Sequence, residues 1–254
     1  MTTSTHRLRN GALAAVLLAG AGLAQAQELV VSAAASLTQA FQSIGTAFER
    51  THPGARVTFN FAASGPLLAQ IRQGAPVDVF ASADQETMDR AASGALLAEG
   101  TRADFARNAL VLVVPANATR TPAALADLAG DGYARIATGT PSSVPAGRYA
   151  AQAVRQAGLT DALAPRWIYG ENVRQVLNYV ARGEVDAGFV YRTDALVERA
   201  KVRIALAVPT ATPVSYPIAR IASGRNAALA GDFIAFVRGA EGQRILEGAG
   251  FSRP

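Results

Sequence analysis

A strand turns into a helix within residues 29–39, which read LVVSAAASLTQ. The same arrangement returns in residues 57–67, which read VTFNFAASGPL. Each segment has an apolar run rich in β-branched or aromatic residues, then small residues, and then a serine at the expected start of a helix. Because such junctions recur along the chain, the sequence predicts an α/β fold.

The two junction serines, Ser36 and Ser64, are candidate binding residues. A helix start has unpaired backbone N–H groups and the positive end of the helix dipole, which together form a seat for an anion. Both serines are expected after the carboxyl ends of strands, where open α/β sheets bind ligands. The structural alternative is that each serine only shapes its turn, and Ser36 with Gln39 fits a capping box.

Strand and helix patterns alternate along the chain after residue 26. Predicted strands cover residues 28–33, 56–61, 77–81, 109–114, 135–138, 166–169, 187–191, 203–208 and 216–221. Predicted helices begin near Ser36, Pro66, Asp84, Thr121, Ala146, Asn172, Thr193, Arg225 and Glu241. The 228 residues that follow position 26 (254 minus 26) exceed a typical single domain, so we expect two lobes.

Residues 1–26 are predicted to be a signal peptide. Arg7 and Arg9 precede an apolar run over residues 11–23, and the small-x-small cleavage site is Ala24-Gln25-Ala26. The run is too short to span a bilayer, and a retained N-terminal anchor is the alternative. The chain has no cysteine, the residue that carries the lipid of a bacterial lipoprotein. We therefore expect a soluble protein in the periplasm.

Charge and residue counts exclude several classes of function. After residue 26, 22 Lys and Arg face 19 Asp and Glu, without a basic run that would suggest nucleic-acid binding. The histidines are His6 and His52, too few for a histidine metal site, and His52 lies in no nucleophile motif. Asp78 and Asp84 could be ligands or acids, but we expect Asp84 to cap the next helix. No P-loop or dinucleotide fingerprint is present.

Three further positions offer neutral hydrogen-bond donors. Residues 144–147, VPAG, open a predicted helix and would present the N–H of Ala146. Residues 171–174, ENVR, open another and would present the N–H of Val173. Tyr191 ends an apolar strand and carries a phenolic O–H. The structural alternatives are a turn proline, a helix cap and a half-buried tyrosine.

Several motifs are shared with a known family. They are residues 33–37 (AAASL), 75–84 (APVDVFASAD), 144–150 (VPAGRYA) and 188–195 (GFVYRTDA), with Gly250-Phe251 near the C-terminus. On these motifs the chain resembles the periplasmic molybdate-binding proteins of ABC uptake systems, within the type II solute-binding proteins. The resemblance covers essentially the whole chain after residue 26.

The resemblance implies two α/β lobes with mixed central sheets and a ligand cleft between them. Residues 27–107 and 216–254 would form lobe I, and residues 108–215 would form lobe II. Strands 109–114 and 216–221 would cross the hinge. The oxyanion would be held by Ser36 and Ser64 from lobe I and by Ala146, Val173 and Tyr191 from lobe II. Since Pro66 has no N–H, any contact beside the second serine must come from Ser64 or Gly65.

The resemblance also implies a receptor and not an enzyme. It would capture molybdate or tungstate, which are nearly the same in size and charge, and deliver the anion to an ABC permease with its ATPase. We expect a monomer with no cofactor, no nucleic-acid partner and no direct cation site, because molybdenum would enter as an oxyanion. The alternatives are a receptor for another anion such as sulfate, a metal chelate or an organic anion and, more remotely, a secreted serine hydrolase that uses Ser36 or Ser64.

Overall fold

The computed structural model describes residues 27–254, so the predicted signal peptide lies outside the described residues. The strands of the first sheet are β1 (Gln27–Ala34), β2 (Ala55–Ala62), β3 (Val79–Ala81), β4 (Ala103–Asn108) and β10 (Val214–Arg220). They lie in the order β2-β1-β3-β10-β4. Strand β1 is parallel to β2 and β3, whereas β10 is antiparallel to β3 and β4, so the sheet is mixed.

The second sheet is also mixed. Its strands are β5 (Leu110–Pro115), β6 (Ile136–Gly139), β7 (Trp167–Gly170), β8 (Ala187–Tyr191) and β9 (Val202–Ala207). They lie in the order β7-β6-β8-β5-β9. Strand β6 is parallel to β7 and β8, and β5 is antiparallel to β8 and β9. Two mixed sheets with helices confirm the predicted α/β fold class.

Helices follow most of the strands. They are α1 (Thr38–Thr51), α2 (Ser64–Arg72), α3 (Gln85–Ser93), α4 (Pro145–Gln156), α5 (Thr160–Leu163), α6 (Val173–Ala181), α7 (Arg192–Val197), α8 (Ala227–Arg238) and α9 (Ala240–Gly248). Short 3-10 helices cover Ala35–Leu37, Leu125–Ala129 and Ala164–Arg166. No helix within residues 27–254 has the length and apolar character needed to cross a membrane.

Strand register sets the helix starts side by side. In the parallel pair β1 and β2, Ala34 is opposite Ala62. Ser36 lies two residues after Ala34, and Ser64 lies two residues after Ala62. In the parallel pair β6 and β7, Gly139 is opposite Gly170. The turns into α4 and α6 therefore leave the same edge of the second sheet.

The C-terminal helices return to the first sheet. Phe233 of α8 packs edge-on against Phe41 and Phe48 of α1, with ring centroids 6.1 and 5.3 Å apart. All three rings are fully buried. Aromatic pairs in this geometry add to the stabilisation from burial. The first sheet and its helices are thus built from the two ends of the described chain.

Three predictions about individual elements are wrong. Strand β4 was not predicted, because this edge strand buries only Phe105 and Ala106 and lacks regular alternation. No helix begins at Thr121; the Asp127 carboxylate accepts bonds from the N–H groups of Ala123 and Ala124, and a 3-10 helix starts only at Leu125. The strands expected to cross the hinge do not cross it, because β5 and β10 each lie within one sheet. The chain passes between the sheets at Ala109 and at residues 208–213.

Candidate functional site

The five residues predicted to bind an oxyanion line one small pocket between the two sheets. Its lining comprises Ala34, Ala35, Ser36, Ala63, Ser64, Ala83, Val144, Pro145, Ala146, Val173 and Tyr191. Every lining residue is buried, and none carries a charged side chain. The structure therefore brings together all five positions, although Ser36 and Tyr191 are far apart in the chain.

Ser36 lies in the 3-10 turn that precedes α1. The predicted capping box is wrong, because neither the 3-10 turn nor α1 has a side-chain cap and the position before α1 is Leu37. The Ser36 Oγ lies instead 2.9 Å from the hydroxyl of Tyr216, a fully buried residue of β10. The Ser36 hydroxyl is thus not used to cap its helix.

Ser64 is the first residue of α2 and is fully buried. Its Oγ accepts a hydrogen bond from the Ala83 N–H at 3.0 Å. The next N–H, of Gly65, donates at 3.0 Å to the carbonyl oxygen of Ser143, on the opposite side of the cleft. Because Pro66 has no N–H and that of Gly65 already has a partner, Ser64 is the remaining donor at this junction.

Ala146 is the second residue of α4, after Pro145 and the extended Val144. Proline suits a first helical position and brings no N–H, so Ala146 has the first free N–H of the helix. The chain comes close to β6 here: a Cβ on Gly147 would lie 1.9 Å from the carbonyl oxygen of Gly139. Glycine at position 147 is therefore required to hold the helix start at the strand end.

Val173 is the first residue of α6, and Asn172 caps that helix. The Asn172 Oδ1 accepts hydrogen bonds from the N–H groups of Arg174 and Gln175, each at 3.0 Å. This cap does not use the N–H of Val173, which belongs to the first turn of the helix, and Val173 is one of the residues that line the pocket. The predicted helix start is confirmed.

Tyr191 ends β8 and is nearly fully buried. Its hydroxyl donates to the Ala83 carbonyl oxygen at 3.3 Å. Burial, with smaller contributions from nearby Tyr216, Tyr149, Asp84 and Asp194, raises the pKa of Tyr191 well above its ordinary value. The phenol therefore keeps its proton and remains a hydrogen-bond donor.

Charged side chains lie behind the pocket, where two arginines join opposite sides of the cleft. Arg148 of α4 donates through Nε and Nη2 to the Asp84 carboxylate at 3.0 and 2.8 Å. Arg174 of α6 donates to the Ser36 carbonyl oxygen at 3.3 Å and lies 2.7 Å from the buried Asp194. Sequence reasoning missed both arginines as cross-cleft groups, although each lies within a motif that it had identified.

Asp84 has the predicted capping role and a second one. Its Oδ1 accepts from the Thr87 N–H at 3.2 Å, which confirms it as the cap of α3. The same carboxylate pairs with Arg148 across the cleft. A larger open groove of about 780 Å³ lies beside this pair and contains none of the five predicted site residues. We place the candidate site in the smaller pocket, because the two serines, the tyrosine and the two helix starts converge there.

The position of His52 argues against serine hydrolase chemistry. His52 follows α1 and stacks on Phe48, with ring centroids 3.9 Å apart. Ser36 precedes the same 14-residue helix, which spans about 21 Å at the usual rise per residue. Ser64 lies beyond the far end of the eight-residue strand β2, about 26 Å long. The one histidine within residues 27–254 therefore reaches neither serine. Within these residues no cluster of three metal-ligating side chains occurs.

Comparisons with known proteins identify the family of the chain. A family model described as bacterial extracellular solute-binding protein matches residues 29–252. The molybdate-binding protein ModA of Escherichia coli is 35% identical, with 95% of each chain covered. That of Mycobacterium bovis is 40% identical over 90% of this chain and 86% of its own.

A solved structure supports the same assignment. The periplasmic molybdate-binding protein of Azotobacter vinelandii matches with a TM-score of 0.78 and 26% identity, over 89% of this chain and 99% of its own. Proteins of this kind are transport receptors that act outside the cytoplasm. The chain belongs to the bacterial extracellular solute-binding proteins, in the family of the molybdate-binding protein ModA.

Proposed function

We propose that the protein captures molybdate or tungstate in the pocket formed by Ser36, Ser64, Ala146, Val173 and Tyr191 and delivers it to an ABC importer. The observation that carries this proposal is the convergence of neutral donors from both sides of one pocket with buried lining residues. The names of the relatives, several of which are molybdate-binding proteins, support the choice of anion.

The number of donors suits a dianion without a counter-charge. Burying a charge is unfavourable unless it is hydrogen-bonded throughout. Three hydroxyls and the N–H groups of the two serines, Ala146 and Val173 give about seven bonds, which would contribute roughly 10–20 kcal/mol. Nanomolar binding needs about 12 kcal/mol after the losses of association. Tight binding is therefore consistent with neutral donors alone.

The same donor set favours a fully ionised anion. A protonated tetrahedral anion such as hydrogen phosphate would need an acceptor for its O–H, and no carboxylate lines the pocket. Molybdate, tungstate and sulfate carry no proton at neutral pH. We therefore propose that the pocket rejects phosphate because it lacks an acceptor for the phosphate O–H. Pocket size would discriminate among molybdate, tungstate and sulfate.

Binding would couple to closure of two lobes. We propose residues 27–107 with 216–254 as lobe I and 108–215 as lobe II, with Ser36 and Ser64 on the first and the other three donors on the second. An anion that contacts both sets stabilises the closed arrangement over an open one. We also propose that the receptor is a periplasmic monomer that needs no cofactor and presents its closed form to a permease with its ATPase.

Titration with four anions tests the proposal. Purified protein lacking residues 1–26 is titrated calorimetrically with molybdate, tungstate, sulfate and phosphate under identical conditions. We expect submicromolar binding of molybdate and tungstate, weak binding of sulfate and none of phosphate. Sulfate binding as tightly as molybdate would favour the broader anion receptor, and no molybdate binding would refute the proposal.

Variants locate the site in the same assay. Ser36→Ala and Tyr191→Phe each remove one donor, so molybdate affinity should fall by about tenfold or more. Ser43→Ala, on the exposed face of α1, is the matched control and should bind as the wild type does. Unchanged affinity in both pocket variants would place the anion elsewhere.

A further inference from the structure

A chain of hydrogen-bonding groups lies behind Ser36 and outside the pocket lining. The Ser36 Oγ is 2.9 Å from the Tyr216 hydroxyl, and the Asn108 Nδ2 is 3.3 Å from the same hydroxyl. Asn108 ends β4, one residue before the chain crosses to the second sheet at Ala109. These contacts connect the crossing point between the sheets to a pocket residue.

The direction of each bond follows from its neighbours. The Asn108 Oδ1 accepts from the Ala109 N–H at 2.9 Å, which fixes the amide with its NH₂ group toward Tyr216. That NH₂ group donates to the Thr193 Oγ1 at 2.8 Å and to the Tyr216 hydroxyl. Among residues 27–254, Ser36 Oγ is then the one acceptor in reach of the Tyr216 proton.

We propose that Tyr216 and Asn108 are positioning residues that orient the Ser36 hydroxyl as a donor into the pocket. The inference rests on the proposed anion-binding function. With its acceptor side engaged by Tyr216, the Ser36 hydroxyl has its own hydrogen free for an anion oxygen. In the reverse arrangement an oxygen lone pair would face the anion, and the buried Tyr216 proton would lack a partner, both of which are unfavourable.

Two further observations support this polarity. Burial raises the pKa of Tyr216 well above its ordinary value, so the phenol has a proton to donate. Ser64 follows the same rule with a backbone group, because its Oγ accepts from the Ala83 N–H. In each serine the hydroxyl oxygen accepts a bond from a fixed donor, so the hydroxyl hydrogen can donate into the pocket.

A double-mutant cycle tests the relay. Molybdate affinity is measured by calorimetry for the wild type, Tyr216→Phe, Ser36→Ala and the double variant. We expect Tyr216→Phe to weaken binding about tenfold, equivalent to about 1.4 kcal/mol. In the Ser36→Ala background the same change should alter affinity less than about twofold, because the relay then has no terminal hydroxyl. Tyr133→Phe, a buried tyrosine outside the pocket lining, should match the wild type.

A second cycle uses Asn108→Ala with Ser36→Ala and leaves the ring packing of Tyr216 intact. We expect the same dependence on Ser36. Equal losses of molybdate affinity with and without Ser36 would show that Tyr216 and Asn108 act only through structure. Unchanged affinity in both Tyr216→Phe and Asn108→Ala would also overturn the relay. A wild-type protein that binds molybdate in either of these cases leaves the proposed function intact. A wild type that does not bind it overturns both.

Discussion

A serine hydroxyl can donate one hydrogen bond and accept two, so its role in a pocket depends on which side is already engaged. Ser36 has a tyrosine hydroxyl behind it, and Ser64 has a backbone N–H. Both serines are buried. At this scale the chemistry of the site is set less by the residue type than by the partner that fixes the direction of its proton.

Gly65 provides a test at the same scale. Its N–H donates to Ser143 across the cleft, and a Cβ at position 65 would lie 2.5 Å from the Ser143 carbonyl oxygen. Gly65→Ala should therefore obstruct closure and weaken molybdate binding by about tenfold or more, with a smaller effect on thermal stability. Calorimetry and thermal unfolding measure the two effects.

Gly231→Ala is the matched control, since a Cβ at this helical position would meet no atom within 4 Å. It should leave the affinity unchanged. If Gly65→Ala bound molybdate as tightly as this control, the approach of α2 to Ser143 would not limit closure.

Among the elements, the junction of β8 and α7 combines a pocket residue with a buried charge. Asp194 in the first turn of α7 accepts from the Tyr191 N–H at 3.2 Å and lies 2.7 Å from Arg174. Burial raises the pKa of Asp194 from its ordinary 3.8 to about 6, although Arg174 and the Tyr191 N–H oppose the shift. The free energy of unfolding therefore depends on whether the Asp194 carboxyl is protonated.

The raised pKa of Asp194 predicts that the protein loses stability as the pH rises. Because the folded protein holds this proton more tightly than the unfolded chain does, the stabilisation from Asp194 is present at low pH and is lost as pH rises from about 4 through 6. Urea unfolding of the wild type and Asp194→Asn over this range should show the wild type losing stability relative to the variant. Asp161→Asn, at an exposed position, should run parallel to the wild type. Parallel curves for Asp194→Asn would contradict the shift.

At the scale of the whole molecule, several polar contacts hold the two sheets and their helices in one closed arrangement. Arg148 reaches Asp84, Arg174 reaches the carbonyl of Ser36, and the Tyr191 hydroxyl reaches the carbonyl of Ala83. These contacts join the two sheets around the pocket through protein groups alone. Part of the stabilisation of this arrangement therefore does not depend on a ligand.

Arg148→Gln tests that component. Asp84 also caps α3, so changing Arg148 removes the cross-cleft pair while keeping the helix cap. We expect molybdate to dissociate about tenfold faster, with a small change in the association rate, because the lost contacts form after encounter. Stopped-flow measurement of both rates separates these effects. Arg155→Gln, an exposed arginine on the same helix, should dissociate at the wild-type rate, and an equal rate for Arg148→Gln would exclude a role in closure.

Local chemistry determined much of this protein. Helix starts depend on a few neighbouring residues, so the sequence predicted Asp84 as a cap and a helix start near Asn172. Apolar runs of strand length predicted nine of the ten strands that the structure describes within residues 27–254. The five candidate donors were selected in the same way and from the family resemblance, and their role as ligands stays a prediction.

Contacts between distant residues were decided only by the tertiary structure. Ser36 fits a capping box by its neighbours, yet its hydroxyl pairs with Tyr216, 180 residues away. Strand β4 is held as an edge strand by β10, whereas its own pattern is too irregular to predict it. The cross-cleft role of Arg148 depends on how two helices from different sheets approach. Short-range patterns fix which groups are exposed at a helix start, but the direction of a hydroxyl proton or a salt bridge depends on the partner that folding brings within reach.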